Sequence, residues 1–237
     1  MREFKNNKTY SRQQLISSLQ EIYPESTIGS YQWRLGEMLK EKGIKRTGYD
    51  QYMISDENDL PVYQPEYSRL ASEIAEMVAG KYPHIAFTVF ETVLMNEFLN
   101  HLVAQNTVFI QAEKDASPFI FRFLQDNGCE NIMLKPSVKD FNLYWKKGTV
   151  VISNLISEAP LCTGKPHSIM MEKMLVDMYC DKLIRGTYSV AEYSSVVKQA
   201  FDRYQIDRIR MLRYARRRNK EKDIARIVKA NVDQEER

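Results

Sequence analysis

Several groups of side chains in this sequence have the types and spacing to act on something outside the chain. Ser30, Trp33, Arg34, Lys40, Lys45 and Arg46 fall in one short stretch. If Leu35 points inward, the step of about 100° per residue along a helix turns Ser30, Trp33, Glu37 and Lys40 outward and leaves Arg34 on the flank. Hydroxyl, guanidinium and flat aromatic groups near a helix N-terminus suit base edges and phosphates, and Lys45 and Arg46 on a following hairpin would reach the flanking backbone. A second group is Arg210, Arg213 and Arg217, at i, i+3 and i+7, opposite Met211, Leu212 and Ala215. Such a stripe suits phosphate and carboxylate alike, whether on a nucleic acid or on a protein partner.

A third group is acidic. Glu91 ends one strand-like run, and Glu113 and Lys114 end the next. Acids and a lysine on consecutive strands would fit a metal-dependent nuclease of the PD-(D/E)xK type. Adjacent residues on a strand face opposite ways, however, so Glu113 and Lys114 do not form the expected pair on one face. Other chemistries lack their residues. Gly164 and Lys165 have no preceding glycine spacing and are followed by Pro166, so there is no P-loop. His84, His101 and His167 are too scattered, and too far from Cys129, Cys162 and Cys180, for a zinc site, and no nucleophilic triad stands out. No cofactor or metal is expected, and the chain reads as a binding protein rather than an enzyme.

The elements that must hold these residues follow from periodicity and caps. Ser11 reads as the N-cap of a first helix over 11–21, with Leu15, Ile16 and Leu19 on its buried side. Pro24 to Thr27 predict a short second helical turn. Ser30 then caps a stronger amphipathic helix, closed by Gly43, with Leu35, Met38 and Leu39 inward. Strands at 44–47 and 51–54 around Gly48, Tyr49 and Asp50 complete the order of a winged helix-turn-helix. An acidic, proline-bearing linker, SDENDLPVYQPEYS, separates this module from the remainder, giving domains of 1–58 and 59–237.

Beyond the linker, helices at 67–81, 92–104, 117–126 and around 138–145 alternate with strands at 86–91, 107–112, 131–135 and 149–153. That alternation predicts an α/β (α+β) domain with a parallel or mixed sheet. From Ser168 onward the pattern is helical. The size allows two cores, and the composition, 43% hydrophobic and 27% charged, is that of an ordinary globular chain. Net charge is only +3 but unevenly spread. Basic residues outnumber acidic ones nine to six over 1–54 and eleven to three over 203–229, while acids prevail nineteen to thirteen between. A polyanion is the natural partner of the ends. The polar start, the lack of a long apolar run and the odd, widely spaced cysteines point to a cytoplasmic chain with no membrane contact.

Three stretches resemble the AbiEi-type antitoxins of type IV toxin-antitoxin systems, in the same order along nearly the whole chain: STIGSYQWRLGEMLKEKGIKRTGYDQYMI, MMEKMLVDMYCDK and RMLRYARRRN. The likeness is greatest to uncharacterised relatives of that family. It implies a winged helix that reads an operator in duplex DNA near its own promoter, as an autoregulatory transcriptional regulator. It further implies a second domain that counters a nucleotidyltransferase toxin in abortive infection, a form of phage defence. On this resemblance Ser30, Trp33, Arg34, Lys45 and Arg46 take recognition-helix and wing positions, and Glu172, Lys173 and Asp177 form the core of the second domain's motif. The chain departs from the family in its tyrosine-rich sheet region and long acidic linker. The alternatives are the nuclease using Glu91 and Glu113, and an adaptor whose winged helix binds protein.

Overall fold

A computed structural model describes residues 9–24, 26–40, 44–54, 60–162, 165 and 167–232. The chain divides into two compact units, Met1–Pro61 and Val62–Arg237, three residues beyond the boundary expected from the linker.

In the first unit a short strand β1 (Thr9–Tyr10) precedes α1 (Arg12–Ile22), α2 (Ile28–Lys40), β2 (Ile44–Gly48) and β3 (Gln51–Ile54). The strands form an antiparallel sheet in the order β1-β3-β2. Ser11 does start α1, through a capping box: its Oγ accepts from the Gln14 N–H, and its own N–H donates to Gln14 Oε1. Two local expectations are corrected. The short middle helix is absent among the described residues of 23–27. Ser30 is not the cap of α2; that helix begins at Ile28, and Thr27 Oγ1 accepts the Ser30 N–H at 3.3 Å. Thr27 sits one turn earlier and offers the same hydroxyl acceptor, so the helix extends back to it. The proposed closure at Gly43 lies outside the described residues. Leu15, Leu35, Ile44 and Tyr52 make the core, joined by Tyr10, Met38 and Leu39. Tyr31, absent from the predicted core, is buried as well, and its hydroxyl donates to the Tyr23 carbonyl at 2.6 Å.

The second unit is a mixed α/β domain. After α3 (Arg69–Lys81), strands β4 (Phe87–Glu91), β5 (Val108–Ala112), β6 (Ile132–Leu134) and β7 (Val150–Asn154) form one sheet in the order β4-β5-β7-β6. β4 runs antiparallel to β5, and the other pairs are parallel. Between the strands lie α4 (Ser117–Asp126) and α5 (Val138–Tyr144); α6 (Met171–Cys180), α7 (Lys182–Arg185), α8 (Tyr193–Arg203), α9 (Arg208–Arg217) and α10 (Glu221–Asn231) follow. Phe87, Val89, Val108, Ile110, Val150 and Ile152 pack on one face with Ile74 and Val78 of α3 and Ile120 and Leu124 of α4. Phe90, Phe109 and Val151 pack on the other with Phe141 of α5 and the C-terminal helices. Helices on both faces explain why β4 and β5 are buried at every residue rather than at alternate ones.

The helix expected over 92–104 is replaced by a 3₁₀ turn, Thr92–Glu97, and a loop. Polar side chains satisfy the backbone there. Asn96 exchanges two hydrogen bonds with the main chain of Val103, and Thr92 Oγ1 accepts the Thr107 N–H while donating to the Gln105 carbonyl. The connection therefore returns antiparallel to β4 instead of crossing over it. No helix of the described residues is long and apolar enough to cross a membrane.

Candidate functional site

On α2 the helical repeat buries Tyr31 and Leu35 and leaves Trp33 66% exposed. A large aromatic ring held in water on a rigid helix is poised for contact, because burial of its apolar area is favourable and still unrealised. Arg34, half-buried, lies over the Tyr23 ring with its guanidinium carbon 3.9 Å from the centroid, which fixes the fork. Ser30 shares a hydroxyl–hydroxyl hydrogen bond of 3.0 Å with Thr27. Lys40 ends α2, and Lys45 and Arg46 pair in register with Met53 and Tyr52; the side chains of these three lie outside the described residues. At the hairpin tip Tyr49 is 94% exposed. Asp50, at a φ of 50°, turns its carboxylate onto the Arg12 N–H at 3.0 Å, tying the tip to the start of α1. Tyr49 and Asp50 were legible only as turn residues.

The second unit contains a buried ionic cluster. Lys173 and Asp177 are four residues apart on α6, at 0% and 2% side-chain exposure, and are paired. Lys173 also donates to Gln111 Oε1 of β5. The other Asp177 oxygen accepts from the Tyr214 hydroxyl at 2.8 Å and from Arg218 at 2.7 Å, on and just after α9. One carboxylate therefore faces two cations and a phenol. Burial, reinforced by the Asp177 charge, pushes the Tyr214 phenol well up, so it stays a neutral donor. Burial works against the charge of Arg218, but Asp177 and Tyr214 outweigh it and its pKa is raised. Burial, and then the Asp177 charge, raises the neighbouring Asp181. Glu172 accepts the Asp207 N–H at 3.0 Å, while Asp207 caps α9 through the Arg210 N–H. Asp177 thus ties α6 to the RMLRYARRRN stretch, with Lys173 paired to it, and Glu172 meets the cap residue that precedes that stretch. Gln111, Tyr214 and Arg218 were missed; only the four-residue spacing of Tyr214 and Arg218 hinted that they share a face.

The three arginines of the α9 stripe are exposed. Arg210 lies 3.5 Å from Asp207 and 3.8 Å from Met170 Sδ, and Arg217 donates to Ser157 Oγ.

Glu91 and Glu113 do not meet. Glu91 is fully buried and accepts from the Ser68 N–H at 2.7 Å and from Asn106 Nδ2 at 2.6 Å, which occupies both oxygens. Glu113 is exposed and accepts the Ala86 N–H at 3.1 Å. Because Glu91 pairs with Val108 and Glu113 lies just past the far end of β5, the carboxylates are separated along the strand by roughly 17 Å. The antiparallel strand pair thus places the two acids of the nuclease alternative at opposite ends. Among the described residues, no group of three or more His, Cys, Asp or Glu has the geometry to hold a metal ion.

The sequence profile of the Family of unknown function (DUF6577) matches residues 30–234, and the chain belongs to that family. No curated protein matches the chain.

Proposed function

We propose that this member of the DUF6577 family is a cytoplasmic, sequence-specific DNA-binding regulator whose first unit acts as a winged helix-turn-helix. The observation that carries the reading is the outward presentation of Trp33 beside a fixed Arg34 on α2, followed directly by an antiparallel hairpin with Tyr49 at its tip. A helix for the major groove and a hairpin for the adjoining backbone are the two parts such a reader needs. Lys45 and Arg46 on β2 and Lys40 at the end of α2 add positive charge to the same unit.

We further propose an autoregulatory antitoxin of the AbiEi type, opposing a nucleotidyltransferase toxin. This reading is supported by the joining of the two carboxy-terminal stretches of that resemblance, through Asp177 with Tyr214 and Arg218. Their co-occurrence has a physical basis, since each satisfies buried polar groups of the other.

Footprinting of the full chain on DNA upstream of its own reading frame tests the first proposal. Protection of a discrete site is expected, with affinity falling steeply in salt at a log–log slope near −0.9 per phosphate contact. Arg34→Ala should cost about 1–3 kcal/mol at that site if the fork reads a base, while Lys45→Ala should weaken all duplexes about equally. Protection indistinguishable from that on random DNA refutes it.

A further inference from the structure

The cluster around Asp177 also determines which face of α9 is left in water. Met211, Tyr214 and Ala215 are buried at 0–1%, and Arg218 is held by Asp177 and Tyr214, so the rotation of the helix about its axis is fixed. Arg210, Arg213 and Arg217 are exposed on another face of the same helix. The arginines of α9 and its C-cap therefore divide by role. Arg216 is paired with Glu221 and Arg218 with Asp177, whereas among the described residues Arg213 and Arg217 have no carboxylate partner and Arg210 has a long contact with Asp207.

We propose that this face is a second nucleic-acid site, which grips the phosphate backbone of a duplex without reading its sequence. Two features favour a polyanion over a folded acidic protein. On α9 only one large apolar side chain, Ile209 at 73%, is substantially exposed, so the cluster of aromatic or aliphatic anchors that centres a protein interface is not present on this helix. In addition, Arg210 and Arg217 are seven residues apart, a helix rise of about 10.5 Å and close to three steps of about 3.4 Å along a duplex strand, so three forks can reach phosphates within a run of four. Arginine's planar fork suits phosphate oxygens two at a time. The site belongs to the second unit and does not depend on the reading of the first.

The test uses the full chain in a Trp33→Ala/Arg34→Ala background, so that loss of the first unit's contacts cannot be mistaken for loss of this one. Anisotropy titrations against a random-sequence duplex DNA, a duplex RNA and poly-glutamate, each over a range of salt, are compared for three forms. These are the background, the background with R210Q/R213Q/R217Q, and the background with the charge-matched control K114Q/K135Q/K139Q, whose lysines are exposed elsewhere in the second unit. On DNA the magnitude of the log–log salt slope should fall by about 2 to 3 in the arginine variant and stay within about 0.5 in the control. Arg213→Gln alone, at an exposed position, should lower it by about 0.9. A larger effect on the RNA than on the DNA duplex keeps the site and assigns it to RNA. Equal slopes for all three forms on both nucleic acids overturn the proposal, as does arginine-dependent binding of poly-glutamate alone.

Discussion

Replacing Asp177 should damage the second unit far more than replacing its partner Lys173, although the two share one ion pair. Asp177 is the sole acceptor shared by Lys173, Tyr214 and Arg218. With Asp177→Ala, two cations remain without an anion between them. Lys173, at 0% exposure, keeps only the Gln111 carbonyl, and Arg218, at 14%, gains little water. Breaking a buried pair in this way costs about 3–5 kcal/mol. With Lys173→Met, Asp177 stays matched one to one by Arg218, the methionine fills a similar volume, and the main loss is an unpaired Gln111 oxygen, worth about 1–2 kcal/mol. Urea unfolding read from Trp145 checks this. Trp145 belongs to the second unit, where its indole donates to Thr107 Oγ1, and in a Trp33→Phe background it is the only remaining tryptophan. At about 2 kcal/mol per molar urea, the midpoint should drop by about 1.5–2.5 M for Asp177→Ala and by less than about 1 M for Lys173→Met. A Lys173→Met midpoint as low as that of Asp177→Ala would mean that the carboxylate is not the hub, and the reasoning fails.

Ser11→Ala removes the cap of α1 and should cost about 1 kcal/mol, seen as roughly five-fold faster amide exchange in that helix, with Ser11→Thr close to wild type. Burial pushes the Cys180 thiol up to about 11, so its alkylation should be slow at pH 8 and still accelerating at pH 10; a rate that levels off by pH 9 contradicts the burial argument. Glu192 is held below its ordinary value, first by the His101 side chain and then by the N–H groups of Asn100 and His101. The folded state thus favours the carboxylate, so this contribution is present above the unfolded value and is lost as pH falls through the lower folded one. The protection of the amides of residues 100–101, taken relative to their intrinsic exchange rate at each pH, should fall on acidification, and Glu192→Gln should abolish that dependence.

Much of the chain was legible before any tertiary contact was known, wherever the determinant is local. The N-cap at Ser11, the bounds of α4, the strands near 87–91, 108–112 and 150–154 and the apolar side of α2 all follow from short-range patterns. A hydroxyl three residues ahead of a free amide, or a side-chain repeat of 3.6 or 2, acts in the same way in any fold. The exposure of Trp33 follows from the same geometry once Leu35 is placed inward.

Tertiary structure alone decided the rest. Apolar content suggested a helix at 92–104, but Asn96 and Thr92 satisfy the loop backbone instead, and that sends β5 back antiparallel to β4. The same reversal keeps Glu91 and Glu113 apart, since strand direction depends on the path between strands and not on the residues that end them. On α9 and its C-cap, arginines of one kind divide into Arg218, held inward, and Arg213, left in water. Nothing in the arginines themselves makes that choice. It is made by Asp177, 41 positions before Arg218 on another helix, because a buried carboxylate must recruit whatever donors folding brings within reach.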